Sequence, residues 1–270
     1  MPKRDLEGQR ALVTGASSGL GAAFARLLAA RGASLVLAAR REDKLKALAA
    51  ELEKAHAVDV HVVAIDLTDA GAPLGLFEAT EGSGRPIDVL INNAGAGLHR
   101  HFDETPWERV AAQIQLNVVS VTELMHRFLA PMLARGRGHV LNVSSIGAYT
   151  PSPTYATYSA GKAFVRDLSE AVSYELRKTP VRVCALCPGG TLTEFHQAAE
   201  HELPRAFKAT FQTAEACAGE GLRALFAGRP NVVSGIINKV SMFFLRFVPR
   251  RAMVWITART MGTPKELSGA

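Results

Sequence analysis

With 270 residues, 48% of them hydrophobic and 21% charged, the chain has the apolar content of a folded protein and too much of it for a disordered one. The formal charge of +6 invites an anionic partner, and three cysteines without a repeated spacing exclude a disulfide framework. No run of about 18 uncharged apolar residues occurs, which excludes a membrane-spanning helix. The opening MPKRDLEGQRALVTG holds no apolar stretch ahead of its first strand, so no secretory signal is expected and the expected location is cytoplasmic.

RALVTG (10–15) is a short apolar run ending in a turn, and residues 19–31 follow with apolar positions at helical period, stopped by Arg31-Gly32. SLVLA (34–38) is a second strand. Residues 42–55 carry Leu45, Leu48 and Leu52 at i, i+3, i+7 of a charged helix. VDVHVVAID (58–66) and DVLINNAG (88–95) read as strands three and four. A long helix is predicted over 106–135, with Thr105 as N-cap and Pro106 at its first position. GHVLNVSS (138–145) is a fifth strand, 154–178 a helix and VRVCALCPGG (181–190) a sixth strand. Cys184 and Cys187 read as buried structural thiols there, because a reactive pair would open a helix. Residues 191–215 are polar and fit no sheet pattern, and are expected to form a substrate lid. Residues 235–263 form a basic amphipathic extension in which Pro249 divides two helices. The expectation is one domain over 1–270: α/β, a doubly wound parallel sheet of Rossmann type with helices on both faces and a C-terminal helical extension.

In such sheets ligands bind beyond the carboxyl ends of the strands. Thr14-Gly15-Ala16-Ser17-Ser18-Gly19-Leu20-Gly21 joins the first strand to the first helix. Glycines there permit a tight turn and close approach to a pyrophosphate, and the helix N-terminus offers unpaired N–H groups and a positive dipole end. A dinucleotide is therefore expected at Gly15, Ser17, Ser18, Gly19, Leu20 and Gly21. Where an acidic residue after strand two would take the ribose 2′-OH stand Ala39, Arg40 and Arg41. Arg40 is expected to pair a 2′-phosphate, so NADP(H) is the expected cofactor and NAD(H) the second choice. Asp66 and Leu67, after strand three, are placed for the adenine edge; an N-cap for a helix near Asp69 is an equally good reading of Asp66.

Tyr158 and Lys162 stand at i, i+4, on one face of a helix. A phenol titrates near pH ~10 in isolation, and a nearby cation favours the phenolate. The pair is expected to exchange a proton with an alkoxide or alcohol near neutral pH. Ser145, 13 residues before Tyr158, ends strand five, where its hydroxyl can polarise a carbonyl. Tyr155 is not a rival, since Ser159 rather than lysine follows it by four.

The order and spacing of Thr14–Gly21, Asn92-Asn93-Ala94-Gly95, Asn117, Ser145, Tyr158 with Lys162, and Pro188-Gly189 resemble the single-domain branch of the short-chain dehydrogenase/reductase family, over roughly residues 8–195. The resemblance implies a carbonyl–secondary alcohol oxidoreductase with Tyr158 as acid/base. It implies that Lys162 lowers the pKa of Tyr158 and binds the nicotinamide ribose, that Ser145 steadies the carbonyl and that Asn117 anchors a relay water. It further implies that Asn92, Asn93, Ala94 and Gly95 support the central sheet and the cofactor cleft and that Pro188, Gly189, Thr191 and Thr193 meet the nicotinamide end, Thr193 at the carboxamide. Two positions depart from the pattern. Gly161 stands where serine usually precedes the lysine, at a helix-interior cost of ~1 kcal/mol relative to alanine, so close packing is expected there. Ser18 stands where many NADP-preferring members carry a basic residue. A non-catalytic nucleotide sensor and an epimerase or dehydratase are the rival readings; the first often lacks the Tyr or Lys, the second usually needs a larger substrate domain.

From Gly221 to Lys265 there is no Asp or Glu, but there are Arg223, Arg229, Lys239, Arg246, Arg250, Arg251, Arg259 and Lys265. The basic character is thus local, and no nucleic-acid partner is expected. Phe243, Phe244, Leu245, Phe247, Trp255 and Ile256 alternate with these cations. The segment can pack on its own domain, join subunits of a homo-dimer or tetramer, wall a pocket for a lipophilic 3-oxoacyl or ketosteroid-like substrate, or lie peripherally on an anionic membrane. His99 and His101 are too close for helical zinc ligands, so no metal is expected; they read as cleft-lining loop residues.

Overall fold

The computed structural model describes residues 4–191, 199 and 211–261. In chain order these form β1 (Arg10–Thr14), α1 (Gly19–Ala30), β2 (Ser34–Ala39), α2 (Glu42–His56), β3 (Val60–Ala64), α3 (Ala72–Glu78), β4 (Val89–Asn92), α4 (Trp107–Ile114), α5 (Ser120–Ala134), β5 (Gly138–Val143), α6 (Ala156–Glu175), β6 (Val181–Cys187), α7 (Ala214–Phe226), β7 (Asn231–Val233), α8 (Ile236–Leu245) and α9 (Arg250–Met261). All seven strands are parallel, in the order β3-β2-β1-β4-β5-β6-β7. The chain starts at the middle of the sheet, winds outward to β3, then crosses back to build the other half. The crossing point lies between β1 and β4, where loops part and a cleft opens.

Period-two burial explains why the strands are apolar throughout. In β2, Leu35 and Leu37 face the α1–α2–α7 side, and Val36 and Ala38 face the α3–α5–α6 side. Phe24, Leu28, Leu45, Leu52 and Leu225 fill the first layer; Leu76, Leu124, Phe128 and Met132 fill the second. Each such side chain, fully buried, contributes about 1.5–3 kcal/mol. The C-x-x-C thiols belong to this core: Cys184 and Cys187 are buried in β6 and free.

The long helix predicted over 106–135 is interrupted. Between α4 and α5, Gln115–Val119 widen into a π-helical turn that carries Asn117. Gly161 packs against this turn: a Cβ there would stand 3.2 Å from Val118 Cγ2 and 3.7 Å from Asn117 Cβ. The glycine lets α6 approach the π turn, which is the packing reason its helix-breaking cost demands. Strand β7 lies outside the sequence reading; its three residues are too few to show a period. Of the stretch expected to form a lid, 192–198 and 200–210 lie outside the described residues, and Thr193 with them.

Candidate active site

A cleft of about 560 Å³ runs across the carboxyl ends of the strands. At one end is the β1–α1 turn. Gly15 has φ +66°, a left-handed conformation that favours glycine, and a Cβ on it would stand 2.9 Å from Ala94 Cα. Gly21 lies behind it, where a Cβ would stand 2.2 Å from the Gly15 carbonyl oxygen. The Thr14 hydroxyl, buried, accepts from the backbone N–H groups of Asn93 and Ala94, both at 3.0 Å. The Asn93 amide donates to Thr14 O at 2.9 Å and to Gly15 O at 3.3 Å. Turn and β4 end are thereby stitched together, while Ser18, the N-cap of α1, makes no side-chain cap bond of its own.

The arginines differ from the sequence reading in their reach. Arg41 Nη2 donates to Ser18 Oγ at 2.7 Å and Ser17 Oγ at 3.0 Å, on the turn itself. Arg40 is exposed and stands 3.6 Å from the Asp66 carboxylate. Asp66 accepts from the backbone and hydroxyl of Thr68 at 3.0 and 2.9 Å, so it caps a turn while still lining the cleft. Leu67, buried, lines the cleft beside it, and its carbonyl accepts from Ser120 Oγ at 2.7 Å.

At the other end, β5 runs into Ser144 and Ser145, followed by a short 3₁₀ turn at Ile146–Tyr149 that Ser145 caps by accepting from Gly147 N at 3.0 Å. The turn aims Ser145 at Tyr158, on the first turn of α6. Burial pushes the Tyr158 phenol up to about 12, and a hydrogen bond with Ser145 opposes that. Lys162 is buried; its Nζ donates to Val143 O at 2.7 Å and stands 5.8 Å from the Tyr158 ring centroid. Burial lowers Lys162 to about 8. Burial thus opposes ionisation of the phenol, while the Lys162 ammonium is held on the Val143 carbonyl.

Asn117 stands behind Gly95, outside the cleft lining. Its Oδ1 accepts from Ala96 N at 3.0 Å and its Nδ2 donates to Ala96 O at 2.8 Å. A Cβ on Gly95 would stand 3.0 Å from that Oδ1 and 3.2 Å from Lys162 Nζ, so the bare glycine leaves room for both groups. Deeper in the sheet, Asn92 Nδ2 donates to Asn142 Oδ1 at 2.8 Å, and Asn142 Nδ2 to Ser169 Oγ at 2.9 Å, tying β4, β5 and α6 beneath the site.

Pro188, Gly189 and Thr191 line the cleft beyond β6. Pro188 O accepts from Ile146 N at 2.9 Å, and Thr191 Oγ1 donates to Gly189 O at 3.1 Å. The wall also includes Ile146, Phe211, which belongs to the stretch expected to form a lid, and Tyr155, which the sequence reading set aside. Tyr155 packs edge-on to Tyr158 at 5.8 Å and stacks on buried His99 at 5.0 Å. His99 thus backs the wall, and His101 is exposed. An aromatic just before a helical Tyr-x-x-x-Lys is the one signal that could have pointed to Tyr155.

Comparison with known proteins agrees with this geometry. The short chain dehydrogenase family model matches residues 9–204. A 7beta-hydroxysteroid dehydrogenase of Mediterraneibacter gnavus is 35% identical over 249 residues, 90% of this chain and 92% of that one. A solved structure of a 7beta-hydroxysteroid dehydrogenase superposes with a TM-score of 0.87 at 32% identity, covering 95% of this chain and 99% of that one. A short-chain dehydrogenase of Sphingobium yanoikuyae, solved in complex with NADPH, does so with a TM-score of 0.78 at 27% identity, covering 90% and 97%.

Proposed function

Because the chain belongs to the short-chain dehydrogenase family, and is therefore an NAD(P)-dependent oxidoreductase acting on CH–OH groups, we propose that it interconverts a lipophilic, steroid-like ketone and its secondary alcohol with NADP(H). The observation that carries the reading is the convergence of Ser145, Tyr158 and Lys162 on one cleft whose far end is a glycine turn with Arg41 across it. The donor set there fits a phosphorylated dinucleotide: two hydroxyls, a helix N-terminus and a guanidinium fork. Arg41, with Arg40 beside it, would hold the 2′-phosphate, moving the weight of the NADP reading from Arg40 to its neighbour.

Bound NADPH supplies the hydride; the chain's own residues supply the proton and the geometry. A phenol pushed up to about 12 is protonated at neutral pH, so Tyr158 is poised to donate its proton to the carbonyl oxygen. Ser145 shares that oxygen and steadies the developing negative charge. Lys162, fixed on Val143 O and open toward Gly95, would bind ribose hydroxyls and offset the charge left on Tyr158. Asn117 acts by clamping Ala96, which sets the wall behind Gly95. Aromatic Tyr155 and Phe211 with Ile146 give the substrate an apolar wall. A homo-dimer or tetramer is the proposed assembly, supported by exposed Trp107, Phe164 and Tyr174.

The test is NADPH and NADH oxidation by the purified protein over ketosteroids, 3-oxoacyl thioesters, quinones and small sugars. Turnover of ketosteroids with NADPH supports the reading. A preference for NADH, or for small polar carbonyls, overturns the corresponding half.

A further inference from the structure

On α8, Ile236, Val240, Phe243 and Phe244, continued by Phe247 just past its end, recur at i, i+4, i+7, i+8 and i+11. That spacing defines one helical face, and in a helix packed on its own domain it would be the inner one. Here all five side chains are half exposed or more, and α8 has no buried residue. The Phe243 ring meets Phe244 and Phe247 edge-on at 5.5 and 5.7 Å, forming an aromatic cluster that faces outward. On α9, Trp255 and Ile256 are exposed as well.

Cations flank this face. Lys239 is bound to Glu220 at 2.9 Å, and Arg259 lies over Trp255 at 4.0 Å. Arg246, Arg250 and Arg251 are exposed and have no carboxylate partner among the described residues. No acidic residue occurs between Gly221 and Lys265 to neutralise them.

We propose that α8 and α9 form a docking surface for an anionic lipid bilayer, with the phenylalanines among the acyl chains and Arg246, Arg250 and Arg251 on lipid phosphates. A second copy of the chain is a poorer occupant, because a two-fold contact would set the same cations against themselves. Among the described residues no helix is long and apolar enough to cross a membrane, so the pair lies on the surface rather than through it. The pair is fastened to the rim of the cleft. Thr257 Oγ1 donates to Pro151 O at 2.8 Å, in the loop leading to Tyr158, and Asn238 of α8 stands where a Cβ on Gly189 would fall, 2.1 Å from its Nδ2. A docked molecule would thus hold its cleft close to the lipid. The inference does not depend on which carbonyl is the substrate.

Flotation of the full chain with vesicles tests it. Binding is expected to vesicles of phosphatidylcholine with about a third phosphatidylglycerol and not to phosphatidylcholine alone, with at least a tenfold loss in high salt. Arg246→Glu with Arg250→Glu and Arg251→Glu is expected to cost a similar factor, and Phe243→Ser with Phe244→Ser and Phe247→Ser to abolish flotation, both with turnover retained. Absence of wild-type binding to the anionic vesicles overturns the proposal without reference to any variant. Equal binding to neutral vesicles overturns the role of the arginines. A solution dimer that the phenylalanine variant makes monomeric, with no flotation, assigns the face to a second copy.

Discussion

At the Gly15 end of the cleft the wall is main chain, and at the Tyr158 end it is side chain. The first end works by absence: Gly15 and Gly21 leave space that a Cβ would fill, and the groups around it are a helix N-terminus, short hydroxyls and the Arg41 guanidinium. The second end works by burial: Tyr158 and Lys162 have proton affinities moved by loss of water, upward for the phenol and downward for the ammonium. The first should therefore fail sterically and the second electrostatically, so substitutions at the two ends should leave different signatures.

The largest effect is expected at Tyr158. Tyr158→Phe keeps the ring and its packing and removes only the proton, so turnover should fall by about 10²–10⁴ while NADPH binding and thermal stability hold. Steady-state kinetics with a cofactor titration check this, and retained turnover would sink the acid/base assignment. Gly21→Val should do the reverse. With even a Cβ 2.2 Å from Gly15 O, the turn must shift, costing about 1–3 kcal/mol in a melting experiment and weakening cofactor binding. A melting point and cofactor affinity unchanged from wild type would break the contrast between the ends.

Arg41→Ala should raise the NADPH KM about tenfold to a hundredfold and leave that for NADH nearly unchanged, as a charge-assisted bond contributes about 1.5–3 kcal/mol. Arg40→Ala should have the smaller effect, since Arg40 stands off the turn beside Asp66; the opposite ranking would return the role to Arg40. The smallest effect is a pH dependence. Lys162 is lowered to about 8, so it is charged below that pH and loses its charge above it, while Tyr158 stays protonated up to about 12. Carbonyl reduction should hold level below about pH 8 and decline several-fold above it. A rate that rises through this window would mean that the phenolate, not the phenol, is the working form.

The alternation of strand and helix, the glycine turn after β1, and the Tyr158–Lys162 spacing are all local patterns, and each was legible because a short stretch of chain encodes it. Arg41 shows where that stops. Arg40 and Arg41 are adjacent and chemically identical, and only the twist of the chain after β2 sends one toward Ser17 and Ser18 and the other toward Asp66. Tyr155 was set aside for lacking a lysine, yet its ring walls the cleft, because lining a wall needs position rather than a partner. The π turn at Asn117 was hidden for a related reason: its five residues keep helical composition, and the Gly161 surface it packs against is distant in the chain.

By itself the sequence determined the order of elements, the fold class and the residue types available for hydride chemistry, since period, turn propensity and short motifs depend on neighbours in the chain. Tertiary structure alone decided three further things. It chose which arginine meets the glycine turn. It buried Lys162 and half-buried Tyr158 at the cleft, so that loss of water moves their proton affinities apart. It turned the apolar face of α8 away from the core. Each of these depends on which surfaces are removed from solvent, a property of the packed molecule that no stretch of sequence carries alone.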